Sequence, residues 1–237
     1  MNKMTRRTFS STTVSGIAAL VALSTANTAE GQQMYSDANW KLSEFAHLTR
    51  HPAQAKQVYD VSLIADGKFL NSIKNALNGL HYGFRIPNEQ IRIIAALHGP
   101  ANMLNYDDFI WNKFKVGAWL NVMDSSTGEP TLRNPFLAAK AVSPLHSDTE
   151  DPNSPTSVYQ DTSILTLQHR GVKLLSCHNS AESQARALIA HHNLPLQPED
   201  VVKEMEAHTL PGVLIVPSMV AAIGLLQTSG HYGYIKV

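Results

Sequence analysis

The sequence predicts one α/β domain, built on a five-stranded and mainly parallel sheet with helices on both faces and a long insertion. Short runs rich in β-branched residues alternate with apolar stripes at helical spacing, which is typical of parallel strands joined by crossover helices. The chain has 237 residues, the length of one domain or two small ones. Its hydrophobic content of 43% is sufficient for a sizeable core.

The first half of the domain predicts two strands around one helix. Residues 57–64 form a β-branched run that ends at Ala65-Asp66-Gly67. An apolar stripe on one helix face follows, with Asp66 as the cap. The stripe consists of Phe69, Leu70, Ile73, Leu77 and Leu80. The second strand covers 91–97 and is broken by His98-Gly99-Pro100.

The second half predicts a long insertion and then a return to regular structure. Residues 101–158 are expected to lie over one end of the domain, with a short helix at 107–114. The part from 124 to 158 is polar, and loops of that length are usually functional or mobile. The later elements are a helix at 158–170 ended by Gly171, a strand at 172–177, a helix from 179 or 180 to 191, a helix opening at Pro198, a strand at 212–216, a helix at 218–228 and a strand at 232–237.

The N-terminus predicts an export signal. Residues 1–29 contain Lys3, Arg6 and Arg7 but no acidic residue, then an apolar run of about ten residues, then small residues. The segment Thr5-Arg-Arg-Thr-Phe9 resembles the twin-arginine consensus, with an ordinary Sec signal or an uncleaved anchor as the alternative. Cleavage after Ala26 or Ala29 would release the protein into the periplasm. It would leave no stable membrane span, which needs about twenty apolar residues.

What remains after cleavage is an extension followed by the domain. Residues 30–55 are predicted to form an N-terminal extension with one short helix, docked through Trp40, Phe45 and Leu48. The whole chain has 19 basic and 19 acidic residues, and the signal holds three of the basic ones, so the mature chain has 16 against 19, a net charge of −3. This balance argues against nucleic acid as a partner, although not against a local basic patch.

Cys177 is the only cysteine, so the chain cannot form an intrachain disulfide. It is predicted to end a strand just before a helix that begins at Asn179 or Ser180. Backbone N–H groups at a helix start favour a thiolate, and the thiolate is the form that attacks sulfur electrophiles. The alternative is a buried, inert thiol, because cysteine is among the most buried residue types.

Other chemical motifs are weak or missing. The sequence contains neither a GxxxxGK[ST] nor a GxGxxG phosphate cradle, and it has no Gly-x-Ser-x-Gly elbow, so no nucleotide cofactor and no serine hydrolase is predicted. Histidines at 191, 192, 208 and 231, with Cys177 and His178, are candidate metal ligands. None has the compact spacing of a known metal site, and the prediction is that no metal is bound.

Two stretches resemble the DsrE/DsrF-like family. The first is Arg170-Gly-Val-Lys-Leu-Leu-Ser-Cys-His-Asn-Ser180. The second runs from Leu210-Pro-Gly-Val through Val216-Pro to Gln227 and Tyr232-Gly-Tyr-Ile235. Leu77-Asn-Gly-Leu80 and Ala96-Leu-His-Gly99 agree as well, so the resemblance covers about residues 57–100 and 160–237. It implies a small α/β domain that assembles into trimers or hexamers. It also implies a cysteine, here Cys177, that carries sulfur as a persulfide. The export signal and the 101–158 insertion depart from the family pattern.

The leading hypothesis is an exported DsrE-like protein that handles sulfur through Cys177, with a sulfur-donor or acceptor protein as partner. The strand ends that would line the site are Asp66, His98, Gly99, His178, Asn179, Ser180, Pro217 and Ser218. Two alternatives stay open. One is a non-enzymatic, oligomeric binding module with a buried thiol, and the other is a periplasmic metal binder.

Overall fold

The computed structural model describes residues 40–138 and 151–237, and in them five parallel strands form one sheet in the order β4-β3-β2-β1-β5. The strands are β1 (Ala55–Val61), β2 (Ile91–Leu97), β3 (Lys173–Cys177), β4 (Leu214–Val216) and β5 (Gly233–Lys236). The predicted α/β class and its parallel sheet are therefore confirmed. The predicted export signal and its two cleavage positions lie outside the described residues.

In the described residues, one helix precedes the first strand and seven lie in the connections between strands. They are α1 (Leu42–Thr49), before β1, and then α2 (Lys68–Asn78), α3 (Asp108–Lys113), α4 (Val116–Leu120), α5 (Ile164–His169), α6 (His178–His192), α7 (Pro198–Ala207) and α8 (Met219–Thr228). Four residues of the predicted stripe, Phe69, Leu70, Ile73 and Leu77, are buried on α2. Asp107 caps α3 by accepting hydrogen bonds from two backbone N–H groups. No helix within the described parts of the chain has the length and apolar character needed to cross a bilayer.

Two predicted helix starts are wrong. Asp66 does not cap α2, because its own φ is +54° and the cap position belongs to Gly67, which has no side chain to accept a bond. The helix predicted from 158 begins only at Ile164. Asp161 accepts hydrogen bonds from the Ser163 N–H (2.7 Å) and the Thr166 hydroxyl (2.7 Å), and Ser163 then caps the helix.

Helices lie on both faces of the sheet and bury two separate cores. The main core contains the apolar residues of α2 and α3 to α7, packed against alternate strand residues such as Tyr59, Val61 and Leu174. The second, smaller core lies under α1 and α8 on the other face. Within the predicted extension, Leu48 of α1 is buried there, and its carbonyl accepts a hydrogen bond from the Tyr232 hydroxyl at 2.9 Å.

The predicted insertion divides into two parts. Residues 101–116 supply fully buried side chains to the main core, including Met103, Tyr106 and Trp111. The Trp111 indole N–H donates to the Met103 carbonyl at 3.0 Å, and this hydrogen bond joins α3 to the turn that follows β2. Residues 121–138 form an outer loop that packs at the backbone of Gly117, and residues 139–150 lie outside the described ranges.

Candidate functional site

Cys177 lies where the connections of the sheet change sides. After β3 the chain enters α6, whose buried residues belong to the main core, whereas after β4 it enters α8, whose buried residues belong to the second core. The loops after these two neighbouring strands therefore turn to opposite faces, which makes the carboxyl ends of β3 and β4 a topological switch point. Ligands of open α/β sheets usually bind at such a point. Cys177 ends β3 on one side of it, and Pro217 follows β4 on the other.

The Cys177 side chain points into the second core. Only 4% of the residue is exposed, and its neighbours in that core include Leu175, Val216 and Met219. No hydrogen bond to the sulfur occurs among the described residues. The thiol is therefore enclosed by apolar side chains at the mouth of the sheet in the isolated chain.

The backbone of Cys177 is held by a buried polar network that the sequence analysis missed. Asn102 is fully buried; its carbonyl oxygen accepts from the Cys177 N–H (2.9 Å) and from the Ser176 hydroxyl (3.1 Å). Its amide donates to the Gln184 carbonyl oxygen at 3.1 Å. The Asn105 amide donates to the Leu175 carbonyl at 3.2 Å. Because the pairing of β2 with β3 ends at Leu97 and Ser176, Asn102 satisfies the backbone N–H of Cys177, which has no partner in β2.

A second cluster lies on the same face as Cys177, at the ends of β1, β2 and β5. The buried carboxylate of Asp60 accepts hydrogen bonds from His98 Nε2 (2.6 Å), the Tyr234 hydroxyl (2.6 Å) and the Lys236 ammonium (3.0 Å). Burial alone would raise the pKa of Asp60, but these three donors lower it below its usual value. The same hydrogen bond raises the pKa of Tyr234. Asp60 is thus an anion that orients the imidazole of His98.

The sheet register places His98 beside Cys177. Leu97 pairs with Ser176, so His98 and Cys177 are each the next residue on neighbouring strands. Since Asp60 alternates with Tyr59 and Val61, which face the main core, the hydrogen-bonded His98 ring lies on the face of the second core. The sequence analysis found His98 but missed Asp60, Tyr234 and Lys236. The one available signal was a lone aspartate inside the apolar strand β1.

Four other predicted residues hold the turns around Cys177 together. The Gly99 N–H donates to the Ser180 hydroxyl oxygen at 3.0 Å, which joins the end of β2 to α6. Gly99 has a φ of +51°, which favours glycine, and a Cβ there would lie 3.2 Å from the Ser62 carbonyl. The Asn179 N–H donates to the Pro217 carbonyl at 3.3 Å and joins the start of α6 to the end of β4. Ser218 precedes α8 but makes no side-chain cap.

His178 points away from the thiol, into a cluster of carboxylates. Its Nδ1 lies 2.7 Å from a Glu206 oxygen, its Nε2 lies 3.6 Å from Glu182, and Trp40 packs on its ring at 5.1 Å between centroids. Burial would lower the pKa of His178, but the hydrogen bond and charge of Glu206, with Glu182, raise it. The His178 side chain therefore joins α6, α7 and the N-terminal extension.

Asp66 lines a different cleft. This cleft has a volume of about 1240 Å³, and it lies between the turn after β1 and the outer loop; Asp66, Pro100, Asp108, Arg133 and Phe136 are among its lining residues. Neither Cys177 nor His98 is one of them. The structure therefore separates Asp66 from the other predicted site residues, which it gathers around β2, β3 and β4.

The candidate metal ligands are dispersed. His208 Nδ1 lies 2.9 Å from Asp107, and its ring stacks on Phe109. His191 and His192 contact each other at the end of α6. Within residues 40–138 and 151–237, no group of three His, Cys, Asp or Glu side chains is arranged to hold a metal ion.

The fold and the site together describe a parallel α/β domain with a single enclosed thiol at its topological switch point. Comparison with models of protein families, with curated proteins and with solved structures finds no match to this chain.

Proposed function

We propose that this protein is a DsrE-like sulfur carrier in which Cys177 holds sulfur as a persulfide. The observation that supports the proposal most directly is the position of the chain's only thiol, at the topological switch point between β3 and β4, where open α/β sheets bind ligands.

The loading step is a transfer of sulfane sulfur between thiolates. The Cys177 thiolate attacks the terminal sulfur of a persulfide donor, R–S–SH; a new S–S bond forms and the S–S bond of the donor breaks. The products are Cys177–S–SH and the donor thiolate R–S⁻, so the step needs no external oxidant or reductant. Transfer to an acceptor thiolate is the same reaction in reverse.

His98 is the group that would take the thiol proton. His98 directly follows the neighbouring strand β2, its imidazole lies on the same face as Cys177, and Asp60 holds the ring by a hydrogen bond of 2.6 Å. A histidine oriented by a carboxylate is the usual arrangement for activating a nucleophile. Because Cys177 is 4% exposed, loading requires a local movement of the turn at Pro217 or of the start of α8.

Mass spectrometry of the intact mature protein after exposure to inorganic polysulfide tests the proposal. We expect the wild type to gain the mass of sulfur atoms and Cys177→Ser to gain none. We expect His98→Gln to load more slowly, whereas His47→Gln, an exposed histidine of α1, should load like the wild type. An unmodified wild-type thiol, under conditions that load a known sulfur carrier, would refute the proposal.

A second candidate, an oligomeric binding module with an inert thiol, is favoured by the enclosure of Cys177. The outer face of α8 also carries exposed apolar side chains, with Val220 at 73% and Leu225 at 49% exposure. Such a face suits a contact between subunits. Native thiol labelling distinguishes the candidates: this one predicts negligible labelling from pH 6 to 9, together with a mass in ultracentrifugation that Leu225→Glu reduces.

Export by the twin-arginine route is part of the same proposal and rests on Arg6 and Arg7. Conversion of both residues to lysine should retain the protein in the cytoplasm of a bacterial host. Cell fractionation measures this, and unchanged export of the double variant would argue for the Sec route.

A further inference from the structure

We propose that the amino ends of β1, β2 and β3 form a binding site for a small oxyanion, built from Lys56, Arg92 and Lys173. These residues lie at the opposite end of the sheet from the thiol. Lys173 and Cys177 are four positions apart on β3, a distance of about 13 Å along a strand. The site is therefore independent of the proposed sulfur chemistry.

The three cationic side chains share one face of the sheet. Lys56 and Arg92 are direct partners in the register of β1 and β2, and Lys173 pairs with Ile94, two residues after Arg92. Each of the three alternates with residues of the main core and lies in line with residues of the second core, such as Val58, Ile94 and Leu175. Three neighbouring strands thus present positive charge side by side, an arrangement that like-charge repulsion disfavours unless an anion neutralises it.

The described part of the protein meets these charges with neutral groups, including the Tyr232 ring 5.5 Å from the Lys56 ammonium, and not with carboxylates. None of the three forms an ion pair with a carboxylate within residues 40–138 and 151–237. Lys56 donates to the His51 carbonyl at 3.0 Å, and Arg92 donates from Nη1 to the Gly171 carbonyl at 3.3 Å. Arg92 Nε is buried without a hydrogen-bond partner. A buried guanidinium N–H with no acceptor is costly, so Arg92 keeps unused hydrogen-bonding capacity at this end of the sheet.

The electrostatics of the neighbouring groups agree with an excess of positive charge. Burial lowers the pKa of His51, and the charges of Arg92 and Lys56 lower it further. Burial also lowers the pKa of Lys173; Glu44 opposes this effect, while Arg92 and Lys41 add to it. Glu44 already lies 3.5 Å from Lys41, so its charge is shared.

The chemistry of the site selects the ligand class. A guanidinium and two ammonium groups on half-buried side chains supply the charged N–H donors that the oxygens of sulfate or phosphate accept. The segment that follows α1 borders the site as well, because the His51 carbonyl accepts a hydrogen bond from Lys56 and the charges of Arg92 and Lys56 act on the His51 ring.

Sulfate binding to the mature protein tests the proposal, since sulfate keeps its charge across the pH range of a histidine titration. We expect sulfate to raise the pKa of His51, followed by NMR and assigned with His51→Asn, because a bound dianion offsets the effect of Arg92 and Lys56. Sodium chloride at equal ionic strength should leave the titration unchanged. Calorimetry with inorganic phosphate and with glycerol phosphate run in parallel identifies the source. Equal affinity points to the free ion, and tighter glycerol phosphate binding points to a phosphorylated metabolite.

Matched variants make the result specific. Arg92→Gln and Lys173→Gln should each weaken sulfate binding about tenfold or more, the loss expected for one charged hydrogen bond. Lys203→Gln removes an exposed charge from α7 on the other face and should bind like the wild type. The proposal is overturned if sulfate and chloride shift His51 equally, or if Arg92→Gln, Lys173→Gln and Lys203→Gln, each checked for native circular dichroism, bind sulfate as the wild type does.

Discussion

The replacement Asn102→Leu isolates the network that positions Cys177. Leucine has a similar size to asparagine but can neither accept the hydrogen bond from the Cys177 N–H (2.9 Å) nor donate to the Gln184 carbonyl oxygen (3.1 Å). Ser176, Asn105, Tyr106 and the Cys177 carbonyl lose a partner as well. Each of the three side chains has another hydrogen bond in this cluster, and the carbonyl accepts the first hydrogen bond of α6. The two buried groups left without a partner are therefore the Cys177 N–H and the Gln184 carbonyl oxygen.

The expected magnitude follows from that count. Each buried polar group left without a partner costs about 1–3 kcal/mol, so two of them cost ~2–6 kcal/mol, and we expect a loss near 4 kcal/mol. With a urea slope of about 2 kcal/mol/M, the unfolding midpoint should fall by about 2 M while the slope stays unchanged. Since the network holds the strand end, native thiol labelling of Cys177 should also become faster.

Urea unfolding of the mature protein, followed by circular dichroism, measures this effect. The control is Asn112→Leu on the exposed face of α3, which should change the free energy of unfolding by no more than ~0.5 kcal/mol. If Asn102→Leu shifts the midpoint no more than Asn112→Leu does, the network does not support the end of β3 and the reasoning is refuted.

Three further predictions concern packing and pH. Gly117→Ala should lower the free energy of unfolding by about 2–3 kcal/mol in urea, because its Cβ would overlap the Thr131 carbonyl oxygen. Gly79→Ala is the control, since a Cβ there meets nothing within 4 Å. The pKa of Asp60 is lower in the folded protein than its ordinary value of 3.8, so this carboxylate stabilises the fold above pH 3.8 and the stabilisation is lost as the pH falls through the native pKa. In Asp60→Asn the free energy of unfolding should therefore decrease less steeply at acid pH, and an equally steep decrease would contradict this. The pKa of His178 is higher in the folded protein than its ordinary value of 6.5, so its interactions stabilise the fold fully below pH 6.5 and are lost as the pH rises through the native pKa. In His178→Gln the free energy of unfolding should therefore change less with pH above 6.5. An unchanged pH dependence would count against the carboxylate cluster.

Strands that are apolar on both faces were predicted most accurately. β2 has the predicted bounds of 91–97, and β3 ends at Cys177 as expected, because a run of buried β-branched and aliphatic residues leaves few other structures open. Helix starts were less accurate. At α5 and α2 the outcome depends on whether a particular side chain reaches a particular N–H group, and a propensity pattern does not contain that information.

The sequence by itself determined the order of strands and helices, and with it the place of the single thiol at the end of a strand and the start of a helix. Only the tertiary structure decided the neighbours of that thiol. The strand order creates the switch point at β3 and β4, and α8 encloses the sulfur. The partners of Asp60 are 38, 174 and 176 residues away along the chain. Such contacts arise from the packing of crossovers onto a shared sheet, so no local pattern of residues specifies them.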